Sequence, residues 1–148
     1  MCEKWCGKSL LLLLKYLLKY LENQYIAGDE CVAICEIDNL RNKLRISSVS
    51  VKFKKILTLT SGFGENISLM KDINEAAFPG VDAFGKYTGS EAQKVMVPLK
   101  YNDSKMLIHP STNGKLVKCR YILEVTSNLP GCCLKGNSSF EVPLNIVQ

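Results

Sequence analysis

Residues 48–60 read Ser48-Val-Ser-Val-Lys-Phe-Lys-Lys-Ile-Leu-Thr-Leu-Thr60. In an extended chain, Val49, Val51, Phe53, Leu57 and Leu59 fall on one side. Ser50, Lys52, Lys54, Thr58 and Thr60 fall on the other. A period of two marks a strand with one face in a core and the other in water. The same alternation returns downstream, where Val117, Cys119, Tyr121, Leu123 and Val125 alternate with Lys118, Arg120 and Glu124. It returns once more at the end of the chain in Phe140, Val142, Leu144 and Ile146.

Between these strands the chain is punctuated by turn residues. Ser61 to Glu65, with Gly62 and Gly64, reads as a turn, and Ile67 to Ile73 as a further strand. Asn74 to Gly89 carries Pro79, Gly80, Gly85 and Gly89 and reads as a long loop. Ala92 to Leu99 reads as a strand near an edge, because Pro98 cannot donate to a ladder. Asn102 to Gly114 is loop, and Ser127 to Ser139 is a turn region around Pro130-Gly131 and Gly136-Asn137. Upstream, Tyr25 to Glu30 reads as a bend at Gly28. Cys31 to Ile37 is a short apolar run ended by Asp38-Asn39, and Asn39 to Leu44 is a polar loop. No strand–helix–strand alternation appears, so the expected fold is all-β, an antiparallel β-sandwich or barrel.

Composition agrees with a folded domain. The 148 residues are 47% hydrophobic and 22% charged, which excludes a disordered or collagenous chain. The 19 basic and 14 acidic side chains leave a formal charge of +5. That is modest for a nucleic-acid binder, and no aromatic ladder accompanies the lysines, so no nucleic-acid partner is expected. His109 is the only histidine, which excludes a multi-histidine metal site. There is no nucleophile elbow, acidic dyad or Gly-rich phosphate loop, so the sequence does not read as an enzyme and implies no cofactor or metal.

The seven cysteines stand at 2, 6, 31, 35, 119, 132 and 133. An odd number cannot pair fully within one chain, and the spacings lack the C-x2-C pattern of a zinc site. Cys31 and Cys35 share a strand face with Ala33 and Ile37 and read as small core residues. Such usage suits a reduced, cytosolic protein. Cys2, Cys6, Cys132 and Cys133 are candidate acylation sites or exposed thiols.

Ser9 to Leu21 reads SLLLLLKYLLKYL. Lys15 and Lys19 interrupt the apolar run, so it is too short and too charged to span a membrane. As a helix it would place Lys8, Lys15, Lys19 and Glu22 on one polar stripe and could lie on a membrane surface. As a strand, Leu10 to Leu14 would be a buried run. Local propensity favours the helix. A peripheral membrane protein anchored by this segment and by acylated cysteines is the alternative functional reading.

Basic residues supply the candidate binding site. Lys52 and Lys54 share the outer side of one strand, and Lys118 and Arg120 the outer side of another. If the two strands are neighbours, they make a positive sheet face for anionic lipid headgroups or for acidic or phosphorylated peptides. Lysines on a solvent face also serve solubility and discourage edge pairing.

Five segments carry a resemblance. They are Tyr25-Ile-Ala-Gly-Asp-Glu30, Cys35-Glu-Ile-Asp-Asn39, Ser48-Val-Ser-Val-Lys-Phe-Lys54, Lys115-Leu-Val-Lys-Cys-Arg-Tyr-Ile-Leu-Glu-Val125 and Phe140-Glu-Val-Pro-Leu-Asn-Ile146. In this order they resemble the C-terminal domain of the arrestin family, over roughly residues 8–147. The resemblance implies an immunoglobulin-like β-sandwich of the arrestin C-terminal type over 8–148, with the Leu-rich segment as its first strand. Residues 1–7 then resemble the interdomain junction of protist arrestin-like proteins. It further implies a non-enzymatic adaptor in intracellular trafficking or in receptor and cargo regulation. Its partners would be membrane cargo or receptor tails, and its place the cytoplasm, at the periphery of endosomal or plasma membrane. An N-terminal arrestin sandwich would be a further partner, since this length accommodates one sandwich. Asp103 lies where arrestins carry an acidic interdomain loop, but no second acid stands beside it. There is no Pro-Pro-x-Tyr and no clathrin box.

Overall fold

A computed structural model describes residues 24–41, 43–130 and 139–148. The Ser9–Leu21 segment, the 1–7 junction and the cysteines at 2, 6, 132 and 133 lie outside those residues. The strands are β1 (Gln24–Ile26), β2 (Glu30–Cys35), β3 (Ile37–Asp38), β4 (Ser48–Thr60), β5 (Asn66–Pro79), β6 (Lys86–Tyr87), β7 (Gln93–Pro98), β8 (Thr112–Asn113), β9 (Val117–Asn128) and β10 (Ser139–Val147). A 3-10 turn at Gly89–Glu91 precedes β7.

The two most clearly alternating stretches, β4 and β9, pair antiparallel along their length, from Ser48 opposite Asn128 to Leu59 opposite Val117. They form the centre of a sheet ordered β1-β10-β9-β4-β5, with β8 also paired to β9. Their odd-numbered residues face inward. Val49, Val51, Phe53, Tyr121, Leu123 and Val125 are all at most 1% exposed. β10 adds Val142, Leu144 and Ile146 to the same face. Against it pack Cys31, Ala33, Cys35 and Ile37 from β2 and β3, with Val95 and Val97 from the paired β7. The two layers make a β-sandwich, as expected. The rings of Phe53 and Tyr121 stack at 5.4 Å between centroids. Tyr121 donates a 2.7 Å hydrogen bond to the carbonyl oxygen of His109, which ties the long loop after β7 to the core.

Three expectations are corrected. Asn74–Pro79 is strand, not the start of a long loop. β5 runs on to Pro79 opposite Ser48. A register shift opposite Phe53 and Lys54 leaves Ile73 as an extra residue, so the inward parity changes from odd to even there. Ile73 is buried before the shift, and Ala76 and Phe78 pack on the core after it. A β-bulge of this kind breaks any period-two reading of the strand. Second, Tyr25 and Ile26 are not bend but part of β1, which pairs in parallel with β10. The sandwich is therefore not purely antiparallel. Third, two short pieces read as loop are strand: Thr112 and Asn113 pair with Cys119 and Lys118, and Lys86 and Tyr87 pair with Asp38 and Ile37.

Gly80 closes the strand end for a steric reason. A Cβ there would lie 1.9 Å from the carbonyl oxygen of Ile46, so only glycine allows the two chain segments to meet.

Candidate functional site

The β4–β9 pairing puts the even-numbered residues of both strands on the outer face. Lys52, Lys54, Lys118 and Arg120 thus share one sheet face on neighbouring strands, as the alternation implies. The antiparallel direction separates them into two pairs. Lys52 stands opposite Glu124 and Lys54 opposite Ile122, whereas Lys118 stands opposite Thr58 and Arg120 opposite Ile56.

The two halves differ in charge. Lys54 bonds the Glu124 carboxylate and lies 3.7 Å from Asp72. Its side chain is only 12% exposed, so the contact works in a partly dry setting. The Lys54 ammonium is held above its ordinary value, chiefly by the hydrogen bond to Glu124 and then by the charges of Glu124 and Asp72, with burial opposing. Lys52 reaches the same Asp72 at 3.4 Å across a more exposed gap. This half of the face is a neutralised ion-pair cluster. Ile56 and Ile122, both 6% exposed, separate it from the other half.

Lys118 and Arg120 have no carboxylate within ion-pair distance among the described residues. Both are exposed. They line a groove of about 680 Å³ whose other walls include Thr58, Ser68, Asn113 and Asn145. Thr58 and Ser68 share a 3.1 Å hydroxyl contact across β4 and β5. Two cations two residues apart on one strand, above hydroxyl and amide groups, suit an anion with several oxygens. Residues with perturbed titration elsewhere serve the core. Burial pushes the Cys35 thiol up to about 11 and raises Cys31 and Tyr25.

Asp103 sits in an exposed turn. Its carboxylate accepts the amide of Lys105 at 2.9 Å and its carbonyl accepts that of Met106 at 3.1 Å. It is not brought to the four basic residues. Sequence reasoning missed the role of Glu124 and Asp72 as partners of the lysines. Glu124 has the parity of Lys118 and Arg120, so its place on the face was legible. Asp72 needed the register of β5, which the bulge conceals.

Among the described residues no group of three or more His, Cys, Asp or Glu is placed to hold a metal ion. No described helix is long and apolar enough to cross a membrane. The fold is a β-sandwich with the four basic residues on the outer face of its larger sheet. The family description Arrestin (or S-antigen), C-terminal domain, matches residues 13–148, and the chain belongs to that family. Arrestin family domains bind proteins and are non-enzymatic in general, which supports an arrestin-like adaptor module in the broad sense. Among solved structures, the chain is similar to Spo0M, a sporulation control protein from Bacillus subtilis, with a TM-score of 0.60 at 11% identity. The alignment covers 84% of this chain and 45% of that one, so this chain spans less than half of that protein's length. No curated protein sequence matches.

Proposed function

We propose that the chain is a non-enzymatic adaptor that recognises acidic or phosphorylated protein segments through the Lys118–Arg120 half of its outer face. The observation that carries this reading is the asymmetry of the face. Lys52 and Lys54 already have carboxylate partners, while Lys118 and Arg120 have none among the described residues and stand over a polar groove. An incoming phosphate would find a guanidinium for bidentate contact and an ammonium beside it. The segment would belong to a membrane cargo protein or receptor tail, and the module would act in trafficking or receptor regulation at the cytoplasmic face of endosomal or plasma membrane. An N-terminal arrestin sandwich is a further protein partner in this reading.

The test is binding of a phosphoserine peptide, with its unphosphorylated form as control, to the full chain and to Lys118→Glu/Arg120→Glu. The phosphopeptide should bind the parent chain and lose roughly tenfold or more in affinity with the double variant. Lys52→Gln should change affinity by less than about twofold, since that charge is already compensated. Equal binding by the parent and the double variant would sink the reading. Vesicles carrying anionic lipid in place of peptide test the lipid form of the same site.

A further inference from the structure

The opposite face of the sheet carries a second feature. Beyond the bulge, Leu57 pairs with Leu69 and Cys119, and Leu59 with Ile67 and Val117. These side chains continue the inner face past the point where the second layer covers it. Leu59 is 38% exposed, Ile67 62%, Leu69 54% and Val117 45%. β5 is also the last strand of its sheet, and among the described residues no strand pairs with its outer edge. Asn74 bonds the carbonyls of Pro98 and Lys100, which holds the stretch after the bulge close to β7. Asn66–Met70 has no such tie to β7 among the described residues, and Lys71 touches only the loop after β7, at Tyr101 and Met106. An exposed, apolar, unpaired edge is the substrate of β-strand addition.

Charge selects the occupant. Lys55 and Lys71 lie directly opposite one another on this inner face, beside the apolar patch. Neither has a carboxylate within ion-pair distance among the described residues. Lys71 rests over the Tyr101 ring at 5.1 Å and reaches the Met106 sulfur at 3.8 Å. Asp72, the nearest acid in the strand, faces the other way and is occupied by Lys52 and Lys54. A second copy would bring the same two uncompensated lysines and a +5 charge to the junction. The chain's own Ser9–Leu21 segment carries Lys15 and Lys19 and no acid. It also leads into β1, at the far edge of the sheet from β5.

We propose that the Asn66–Asp72 edge of β5 and the apolar face beside it receive an extended partner segment in which apolar and acidic residues alternate. The segment adds a strand to β5, lays its apolar side chains against Leu57, Leu59, Ile67 and Leu69, and sets an acidic side chain against Lys55 and Lys71. Its apolar contacts lie on the face opposite the Lys118–Arg120 groove; Asn66 and Ser68 of the edge also line that groove, so Leu69 and Lys71 are the residues that distinguish the two sites.

The test uses the full chain and a synthetic peptide of about ten residues alternating Leu or Val with Glu, long enough to span the exposed edge. The control replaces each Glu by Lys. Fluorescence anisotropy at low salt should show the acidic peptide binding about tenfold tighter than the control. Amide hydrogen exchange should slow at 67–71 when it binds. Leu69→Asp and Lys71→Glu, both at exposed positions, should each weaken binding several-fold with circular dichroism unchanged, and Arg120→Glu should not. Exchange mapping on the parent chain decides the matter without any variant. Equal binding of the control peptide, protection elsewhere, or parent-like binding by both variants would overturn the proposal. So would protection of 67–71 that rises with protein concentration alone, or that vanishes when residues 1–22 are removed.

Discussion

At the scale of single residues, the molecule depends on a few positions with no substitute. Gly80 is one, because any side chain meets the Ile46 carbonyl at 1.9 Å. Gly80→Ala should lower stability by at least about 2 kcal/mol, read from the midpoint of urea unfolding. The buried thiols make a second case. Cys31 and Cys35 are fully buried, and Cys119 nearly so. Burial raises the Cys35 pKa from 9.0 to about 11, so the fold holds this proton more tightly than the unfolded chain does. The resulting stability is present below pH 9 and is lost as pH rises from 9 to 11, on the order of 2 kcal/mol. Urea midpoints should therefore fall across that window, and Cys35→Ala should flatten the fall. Iodoacetamide at pH 8 should label these three thiols slowly until denaturant is added.

Strands and hairpins show how far local pattern reaches. β4, β9 and β10 were legible because one face of each is uninterrupted core, and period two then has a single solution. β5 was not, because Ile73 adds a residue and exchanges the parity of everything after it. Before the bulge the inward side is odd, and after it Ala76 and Phe78 face the core on even numbers. Read as one strand, Asn66–Pro79 has no consistent side, and its second half resembles a loop ending in Pro79-Gly80. Inserting one alanine between Asn74 and Glu75 should turn Ala76 and Phe78 toward solvent or unpair the strand end. The expected loss is about 3 kcal/mol or more, measured by thermal or urea unfolding. The short pairs β1–β10 and β8–β9 escaped notice for another reason. They consist of two or three residues with no periodicity of their own, and only the long strands they lie beside define them.

For the whole molecule, the four basic residues were correctly placed on one face, because side-chain parity is a local property. Their division into a neutralised pair and an uncompensated pair was not legible. It follows from strand direction, which puts Glu124 beside Lys54, and from the register that delivers Asp72 to both lysines. Asp103, chosen by position in the chain, is an acid capping its own turn. The membership of residues 13–148 in the arrestin family supports an arrestin-like adaptor module in general. The proposed binding site is the Lys118–Arg120 groove. Backbone amide shifts, followed by NMR as a phosphoserine peptide is titrated into the full chain, test that claim most directly. Saturable shifts centred on Thr58, Ser68, Lys118, Arg120 and Asn145 are expected, with Lys52 and Glu124 little changed. Shifts centred on Lys52, Lys54 and Glu124, or spread across the surface without saturation, would contradict it.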